Sequence, residues 1–316
     1  MIINTATLQA LRTTVNLSFK DAYMNAPIVW DKLATKVPST TDSQTYGWIA
    51  DSLDMREWIG PRVSVALAEH EYTLRNLLWE RTLRIPRQHI LDDNLGIYTA
   101  MIIPSFGIAT AKHPDRRLAT IIQSNPTAFD GLPFFDGAHP TFEDGGGTYD
   151  NDFALALNPD NVDTVWAAMA AFSGESGSPM STDARTLVVP PALRRAAREV
   201  AKSMVVVRTV QNVAGTENVA ATTIDNVMTG DYDIIVWHEL ANEPTRWYLG
   251  DFSKPIRPFI WQVRSEPVLR TFITGTERES FESNEYTWGI DGADGGPYRA
   301  NGGVSLPFLC SRSTPP

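Results

Sequence analysis

The hydrophobic pattern of the chain changes near residue 90, where strict alternation gives way to helical spacing. Apolar and polar positions alternate along LLWERTLRI at residues 77–85, and this period of two predicts a strand over residues 71–85 with a bulge near Asn76. The next apolar positions recur three and four residues apart, at Leu95, Tyr98, Ile102, Phe106 and Ala109. That spacing predicts a helix with one apolar face.

The polar residues around this helix predict where it begins and ends. Asp92, Asp93 and Asn94 are helix-capping residues just ahead of the apolar run. Pro104 is expected to kink or split the helix, and Pro114 to mark its end, with a second helical segment following in DRRLATIIQ.

The strand over residues 71–85 allows two interpretations. It can belong to an ordinary antiparallel meander, or it can form half of a long two-stranded arm that projects from the body. Its length exceeds that of most strands in compact domains, which favours the arm. The pattern alone favours the meander.

The N-terminal segment, residues 5–37, carries apolar residues near a helical period and predicts one or two amphipathic helices broken by Pro27 and Pro38. Further along, Val162, Val165, Trp166, Met169 and Phe172 predict one face of a helix that begins near Asn158 or Asp160.

The most sharply defined unit is a short strand, RTLVV, followed by Pro190-Pro191 and a helix with Leu193, Ala197, Val200 and Met204 facing inward. Residues 213–226 are predicted to be a loop. Strands are predicted in DYDIIVWHEL, TRWYLGDF, PFIWQVRSEPVLRTFI and EYTWGID, with a last strand in VSLPFLC. Together these elements predict an α+β protein.

Composition narrows the function classes. The 316 residues are 43% hydrophobic, enough for a large core. A net charge of -10 disfavours direct recognition of nucleic acid, and a single cysteine, Cys310, excludes an internal disulfide framework. No apolar run approaches the roughly 18 residues that cross a bilayer, so we expect a soluble protein.

The residues most like a chemical site are Asp130, Asp136 and His139, which could supply metal ligands. Turn formation by the two aspartates is the favoured interpretation, because no further His or Cys lies nearby. Acidic pairs such as Glu239 and Glu243 could serve a carbohydrate-active enzyme, but capping and solvated turns explain them more simply. The sequence therefore predicts no catalytic residue, no metal and no cofactor.

Eight strings in a fixed order resemble the major head proteins of Mu-like phages and prophages. They are MIINTATLQAL, VPSTTDSQTYGWIADSLDMREWIGPR, HILDDNLGIY, FDGLPFFDGAHP, NVDTVWAAMAAF, TLVVPPALRRAAREV, RWYLGDFSKPIRPFIWQ and EYTWGID. The resemblance covers nearly the whole chain. It implies the Hong Kong 97 phage-type major capsid fold.

The resemblance also implies a division of the chain, and it reverses the preference for a meander. Residues 1–45 would be an N-terminal arm and 46–88 an extended β loop lying over a neighbouring subunit. A peripheral domain with its spine helix would follow at 89–150, and an axial domain at 151–255. Residues 256–290 would return to the peripheral domain, and 291–316 would be a C-terminal segment.

The implied function is mechanical. Hexamers and pentamers of the chain would close into an icosahedral shell around double-stranded DNA, which is held by proximity and not by sequence recognition. A scaffold protein and a portal would take part in assembly in the host bacterial cytoplasm, a procapsid would mature, and a decoration protein would be a further partner. The resemblance places the mature product in the virion.

Inter-subunit contacts are then expected along the loop, at Trp48, Arg56, Trp58, Arg62, Trp79, Arg81 and Leu83. Packing of the spine helix is expected at Leu95, Tyr98, Ile102 and Phe106. No lysine occurs between Val37 and Ala111, so we expect no lysine–asparagine crosslink from the loop. An encapsulin-like nanocompartment is the alternative, and a carbohydrate-active enzyme is the remote one.

Overall fold

Two mixed units make up the protein, one around a four-stranded sheet and one around a five-stranded sheet. The computed structural model describes residues 5–47, 71–86, 88–89, 92, 96–128, 130–140, 147–173, 180–210, 220–272, 285–295 and 310–315.

The first unit contains two long helical segments and long strands. Its elements are α1 (Thr5–Met24), α2 (Trp30–Leu33), β1 (Ala34–Pro38), β2 (Ser43–Gly47), β3 (Glu71–Arg75), β4 (Leu77–Pro86), a π-helical turn (Tyr98–Ile102), α3 (Ile103–Ala111) and α4 (His113–Ser124), with β13 (Phe259–Phe272) and β14 (Glu285–Gly295) returning from the far end of the chain.

Helix α1 confirms the predicted N-terminal helix and packs on α3. Val15 and Phe19 are buried against Ile103 and against the sheet residue Trp288. The two helices approach closely because α3 presents Gly107 at the contact, where a β-carbon would lie 2.7 Å from the Phe19 carbonyl oxygen. The N-terminal helix is therefore packed closely on α3.

Pro104 changes the helix without ending it. A proline in a regular α-helix lacks the donor N–H and clashes with the carbonyl four residues earlier. Here the π-helical turn Tyr98–Ile102 precedes α3, so Pro104 lies at the start of the regular segment. Pro114 likewise lies in the first turn of α4. The helix predicted to end near Pro114 does end there: α3 stops at Ala111, and Pro114 lies in the first turn of the next helix, where N–H groups have no partner. The predicted second segment is confirmed.

The four-stranded sheet has the order β1-β13-β14-β4, with β1 parallel to β13 and the other pairs antiparallel. Residues 34–38 were expected to continue the N-terminal helical segment, and this was wrong. Their backbone groups pair with β13, from Ala34 opposite Phe259 to Pro38 opposite Val263. A sheet edge 225 residues away in the sequence overrides the local helical pattern.

The predicted strand over residues 71–85 is present as two strands that separate at Asn76. β3 pairs with β2 as an antiparallel ribbon, whereas β4 joins the main sheet through β14. Buried Asn76 makes the joint: its Nδ2 donates to the Thr41 carbonyl oxygen at 2.7 Å, and its Oδ1 accepts from Gln262 Nε2 at 2.8 Å. The change of sheet at this point replaces the predicted bulge.

The second unit is a five-stranded sheet of order β11-β8-β12-β15-β7 with two helices on one face. Its elements, with two small hairpin strands before it, are β5 (His139–Pro140), β6 (Thr148–Tyr149), β7 (Asp152–Phe153), α5 (Pro159–Ala170), β8 (Thr186–Val189), a 3-10 turn (Pro191–Leu193), α6 (Arg194–Lys202), β9 (Val205–Val210), β10 (Ala220–Asp225), β11 (Asp233–Val236), a 3-10 turn (His238–Leu240), β12 (Trp247–Gly250) and β15 (Cys310–Ser313).

The two faces of this sheet pack against different partners. Leu187 and Val189 of β8 point to α5 and α6. Val188, between them, belongs to the same core as Phe134 and Phe135 of the turn-rich segment, residues 130–140. Because side chains alternate along β8, one face of the strand lies in the core beside α5 and α6 and the other in the core beside Phe134 and Phe135.

Several local predictions for this unit are confirmed. Asn158 caps α5 by accepting from the Asn161 N–H at 2.9 Å. Val162, Val165 and Met169 are buried, and so are Ala197 and Val200 of α6.

Three predictions were wrong. Trp166 is 36% exposed on α5, and Met204 is 79% exposed because α6 ends at Lys202, before the helical period would bring it inward. Residues 220–225, predicted within a loop, form β10 and pair with β9. Of the predicted last strand VSLPFLC, only Cys310 lies within the described residues, where it begins β15, Cys310–Ser313.

Candidate assembly surfaces

A cavity of about 990 Å³ opens on the first unit, where α1, α3, α4, β4, β13 and β14 meet. Its walls combine apolar and charged side chains, among them Tyr23, Trp79, Phe106, Trp261 and Arg117. Exposed Met24 lies on its rim, with 70% of its surface accessible. A large cavity with exposed apolar side chains is a candidate site for contact with another chain.

A series of aromatic and cationic side chains forms one wall. The ring centroids of Trp30 and Trp261 are 5.9 Å apart, those of Trp261 and His113 are 6.4 Å apart, and those of His113 and Trp79 are 4.8 Å apart. The Arg117 guanidinium carbon lies 4.5 Å from the Trp79 ring centre. Stacking and cation–π attraction therefore connect α2, β13, α4 and β4.

A polar contact links this wall to β14. His113 Nε2 lies 3.6 Å from a carboxylate oxygen of Asp294 on β14. Within the described part of the chain, no hydrogen-bond acceptor reaches the buried Nε1 atom of Trp79. Buried polar atoms ordinarily have partners, so this nitrogen is an unsatisfied donor of the wall among the described residues.

Asp115 binds the backbone at the start of α2, next to this wall. Its Oδ1 atom accepts from the backbone N–H of Val29 at 3.0 Å and of Trp30 at 2.7 Å. Burial raises the pKa of Asp115, and the two backbone donors act against that rise. The carboxylate thereby anchors α2 to the first turn of α4.

The turn-rich segment brings Asp130 and His139 together but uses them structurally. His139 is buried, with Nδ1 2.5 Å from Asp130 Oδ2 and Nε2 3.0 Å from the Phe134 carbonyl oxygen. Asp136 Oδ1 accepts instead from the Ala138 N–H at 2.9 Å. Among the described residues no group of three His, Cys, Asp or Glu side chains could hold a metal ion. The turn-forming interpretation is confirmed.

The acidic pair considered for catalysis is also engaged within the chain. Glu243 pairs with Arg246 and accepts from the Tyr248 hydroxyl at 3.3 Å, while Glu239 lies 3.8 Å from Arg116 Nε. These contacts fix a turn beside α4.

The predicted contact residues fall into two groups. Trp79, Arg81 and Leu83 lie on β4; Trp79 and Leu83 are half-buried and Arg81 is exposed. Ile102 and Phe106 are half-buried beside α1, and the Tyr98 backbone lies in the π-helical turn. The remaining predicted residues, Trp48, Arg56, Trp58, Arg62 and Leu95, lie outside the described residues.

Sequence reasoning missed His113, Arg117 and Trp261 as members of one wall. They come from three segments whose patterns do not refer to one another, so only the tertiary fold brings them together. Within the described ranges no helix has the length and apolar character needed to span a bilayer.

The chain is similar to head proteins of known phages. It is 34% identical over 164 residues to the major capsid protein of Escherichia phage Mu, covering 51% of this chain and 52% of the Mu protein. It is 25% identical over 285 residues to the major head subunit of the Mu-like prophage FluMu of Haemophilus influenzae, covering 90% of this chain and 67% of that protein. The match to the Mu protein thus spans about half of its length.

The fold is similar to that of a subunit in the procapsid of bacteriophage JBD30. The TM-score is 0.61 at 25% sequence identity, and the match covers 99% of this chain and 77% of the JBD30 chain. The expected α+β fold of the Hong Kong 97 phage type is confirmed. Because the model of the Mu-like prophage major head subunit gpT matches residues 8–154, 152–232 and 228–314, the chain belongs to that family.

Proposed function

We propose that this chain is the major capsid protein of a phage head, and that its hexamers and pentamers close into an icosahedral shell around double-stranded DNA. The observation that carries this proposal is the similarity to a JBD30 procapsid subunit over 99% of the chain. The mechanical task needs many repeated weak contacts and no catalytic centre.

The proposed parts of the subunit follow the sequence. The arm is residues 1–45, the extended loop 46–88, the peripheral domain 89–150 with its return at 256–290, the axial domain 151–255 and the C-terminal segment 291–316. The ribbon of β2 and β3 supports the loop assignment, because both strands leave the main sheet together at Asn76.

The proposed partners are other copies of the chain, a scaffold protein and a portal during assembly, and a decoration protein. Assembly takes place in the host bacterial cytoplasm and the product is part of the virion. The net charge of -10 supports non-specific enclosure of DNA, because a strongly basic lining would bind phosphate tightly. The encapsulin-like alternative is not favoured, since the relatives are phage head subunits.

Electron microscopy of the chain expressed with its scaffold protein tests the proposal. Closed shells or ring-shaped capsomers are expected. A monodisperse monomer under all scaffold ratios would contradict it. Shells that form without a portal and retain a specific enzyme cargo would support the nanocompartment instead.

The proposed inter-subunit contacts are Trp79, Arg81 and Leu83 among the described residues. We expect Trp79→Ala to lower shell yield more than it lowers the melting temperature, because Trp79 is half-buried and its Nε1 donor has no acceptor within the described chain. Phe106→Ala should instead lower the melting temperature first, since Phe106 of α3 packs against Phe19 of α1. Equal losses of soluble protein for the two variants would refute this division.

A further inference from the structure

Helix α6 presents an exposed basic face on the five-stranded unit. Its inner side, Ala197, Val200 and Ala201, is buried in the core. Its outer side carries Arg194, Arg195, Arg198 and Lys202, with Glu199 as the acidic member of the same surface concavity, which measures about 540 Å³. We call these four basic residues the basic face.

A second cavity of about 510 Å³ in the same unit has the opposite charge. Five aspartates and one arginine line it, namely Asp160, Asp163, Asp183, Asp225, Asp231 and Arg185. Trp166 and Val227 add apolar surface, and Val227 is 88% exposed. We call this the acidic cavity.

The negative field of the acidic cavity affects its own side chains. The pKa of Tyr232 is raised to about 12, first by burial and then by Asp163 and Asp231. The pKa of exposed Arg185 is raised by Asp183, whose Oδ2 atom lies 2.6 Å from Arg185 Nε. The formal charges of the lining residues therefore sum to a negative value, so the cavity suits a cationic occupant.

The acidic cavity lies at the starting ends of two parallel strands, and the basic face runs from the other end of β8 back toward it. Arg185 and Tyr232, in the acidic cavity, directly precede β8 and β11. Pro191 and Arg194, at the start of the basic face, follow the other end of β8. Strands β8 and β11 are parallel, so their starting ends lie at the same edge of the sheet. The two surfaces adjoin at one end, where Asn226 Nδ2 donates to the Ser203 carbonyl oxygen at 2.9 Å. Because they are different surfaces, a contact between them would join copies head to tail.

We propose that the basic face of α6 docks on the acidic cavity of a second copy of this chain, forming the contact that joins neighbouring axial units within a ring. The inference rests on the proposed capsid function, which requires such rings. A head-to-tail contact between two different surfaces closes into rings of either five or six members. Complementary charge gives the contact its orientation and makes it sensitive to salt.

Charge reversal tests the contact. In R194E/R198E one like-charge pair on α6 replaces another, and glutamate suits the start of a helix, so the fold should be at least as stable as the wild type. Capsomer and shell yield, measured with the scaffold by native mass spectrometry and electron microscopy, should fall by about tenfold or more. The yield of D163K/D231K should fall by a similar factor. The variant with all four changes should recover most of the yield, because its two surfaces are again of opposite charge.

Mixing the two reversed variants provides a sharper result. Each then finds a complementary neighbour only in the other, so rings must alternate. Six-membered rings should return while five-membered rings stay absent, because an odd ring contains one repulsive contact. The matched control R12E/K20E makes the same charge change on exposed positions of α1 and should assemble normally.

Several results would overturn the contact. These are wild-type yield in R194E/R198E, no recovery in the fourfold variant, or equal loss in R12E/K20E. Loss of binding to a short DNA duplex in R194E/R198E with assembly unchanged would assign the basic face to nucleic acid instead. Failure of the wild-type chain to assemble would count against the capsid proposal alone. Sedimentation of the same variants at low salt would then judge the contact, since reversal should abolish self-association and the fourfold change should restore it.

Discussion

At the scale of single residues, a few buried polar groups determine how distant segments meet. Asp115 receives two backbone donors from the start of α2, and Asn76 bridges Thr41 and Gln262 at the point where β3 and β4 separate. Each leaves partners unsatisfied if it is removed, and an unsatisfied buried donor costs more than an ordinary hydrogen bond contributes.

Replacing Asp115 with alanine should destabilise the fold by about 2 to 4 kcal/mol, because the N–H groups of Val29 and Trp30 would lose their acceptor. Urea denaturation of the subunit measures this. Asp31→Ala is the matched control at an exposed position in α2 and should change stability by no more than about 0.5 kcal/mol. Equal effects of the two changes would show that Asp115 is no anchor.

Cys310 should make stability depend on alkaline pH. Burial raises the pKa of its thiol above the ordinary value, so the folded state keeps a proton that the unfolded state loses first. The contribution is complete below the unfolded pKa and is lost as pH rises toward the folded pKa, at about 1.4 kcal/mol per pH unit.

Urea denaturation at pH 8 and pH 10 should therefore show a steeper loss for the wild type than for Cys310→Ala. The comparison uses the difference between the two pH values, so any cavity left by alanine cancels. Identical slopes would contradict the prediction.

At the scale of elements, close approach and changes of helical geometry matter more than local preference. The π-helical turn accommodates Pro104, and Gly107 lets α1 lie directly on α3. The N-terminal helix is thereby joined to α3 of the same chain.

Gly107→Ala should destabilise the subunit by about 1 to 3 kcal/mol even though alanine favours helices. The added β-carbon would lie 2.7 Å from the Phe19 carbonyl oxygen and 3.1 Å from the Ala22 β-carbon, so α1 must move. Thermal unfolding followed by circular dichroism measures the loss. Ser105→Ala, at an exposed position on the same helix, should leave the melting temperature unchanged or slightly higher. A Gly107→Ala subunit as stable as the wild type would show that α1 is free to shift.

At the scale of the whole molecule, several separate surfaces are candidate sites for contact with other copies of the chain. The cavity beside Trp79 and the charged surfaces of the five-stranded unit lie on different parts of it. Assembly can thus use separate contacts within and between rings, each weak alone.

The assembled shell should contain no covalent crosslink from the extended loop, because no lysine lies between Val37 and Ala111. Denaturing electrophoresis of intact particles after reduction should show a single band near 35.0 kDa. A ladder of multiples would overturn this. Mass spectrometry of the loop peptides would then identify the bond.

Much of the fold could be predicted from sequence because its helices and strands carry clear periods. The α5 cap at Asn158, the strand–Pro-Pro–helix unit and the helix of residues 5–24 depend on neighbours within a few positions. Errors occurred where pairing with another strand decided the outcome. Residues 34–38 became a strand because β13 offered them a sheet edge, and residues 220–225 became one because β9 did.

The sequence by itself determined the family, the order of the elements and the absence of a predicted catalytic set, since these depend on residue identity and local spacing. Only the tertiary structure decided which residues form the wall of Trp30, Trp261, His113, Trp79 and Arg117, and how the basic and acidic surfaces are placed. The physical reason is that contact between segments far apart in the chain depends on sheet order and helix packing, and no local period encodes either of them.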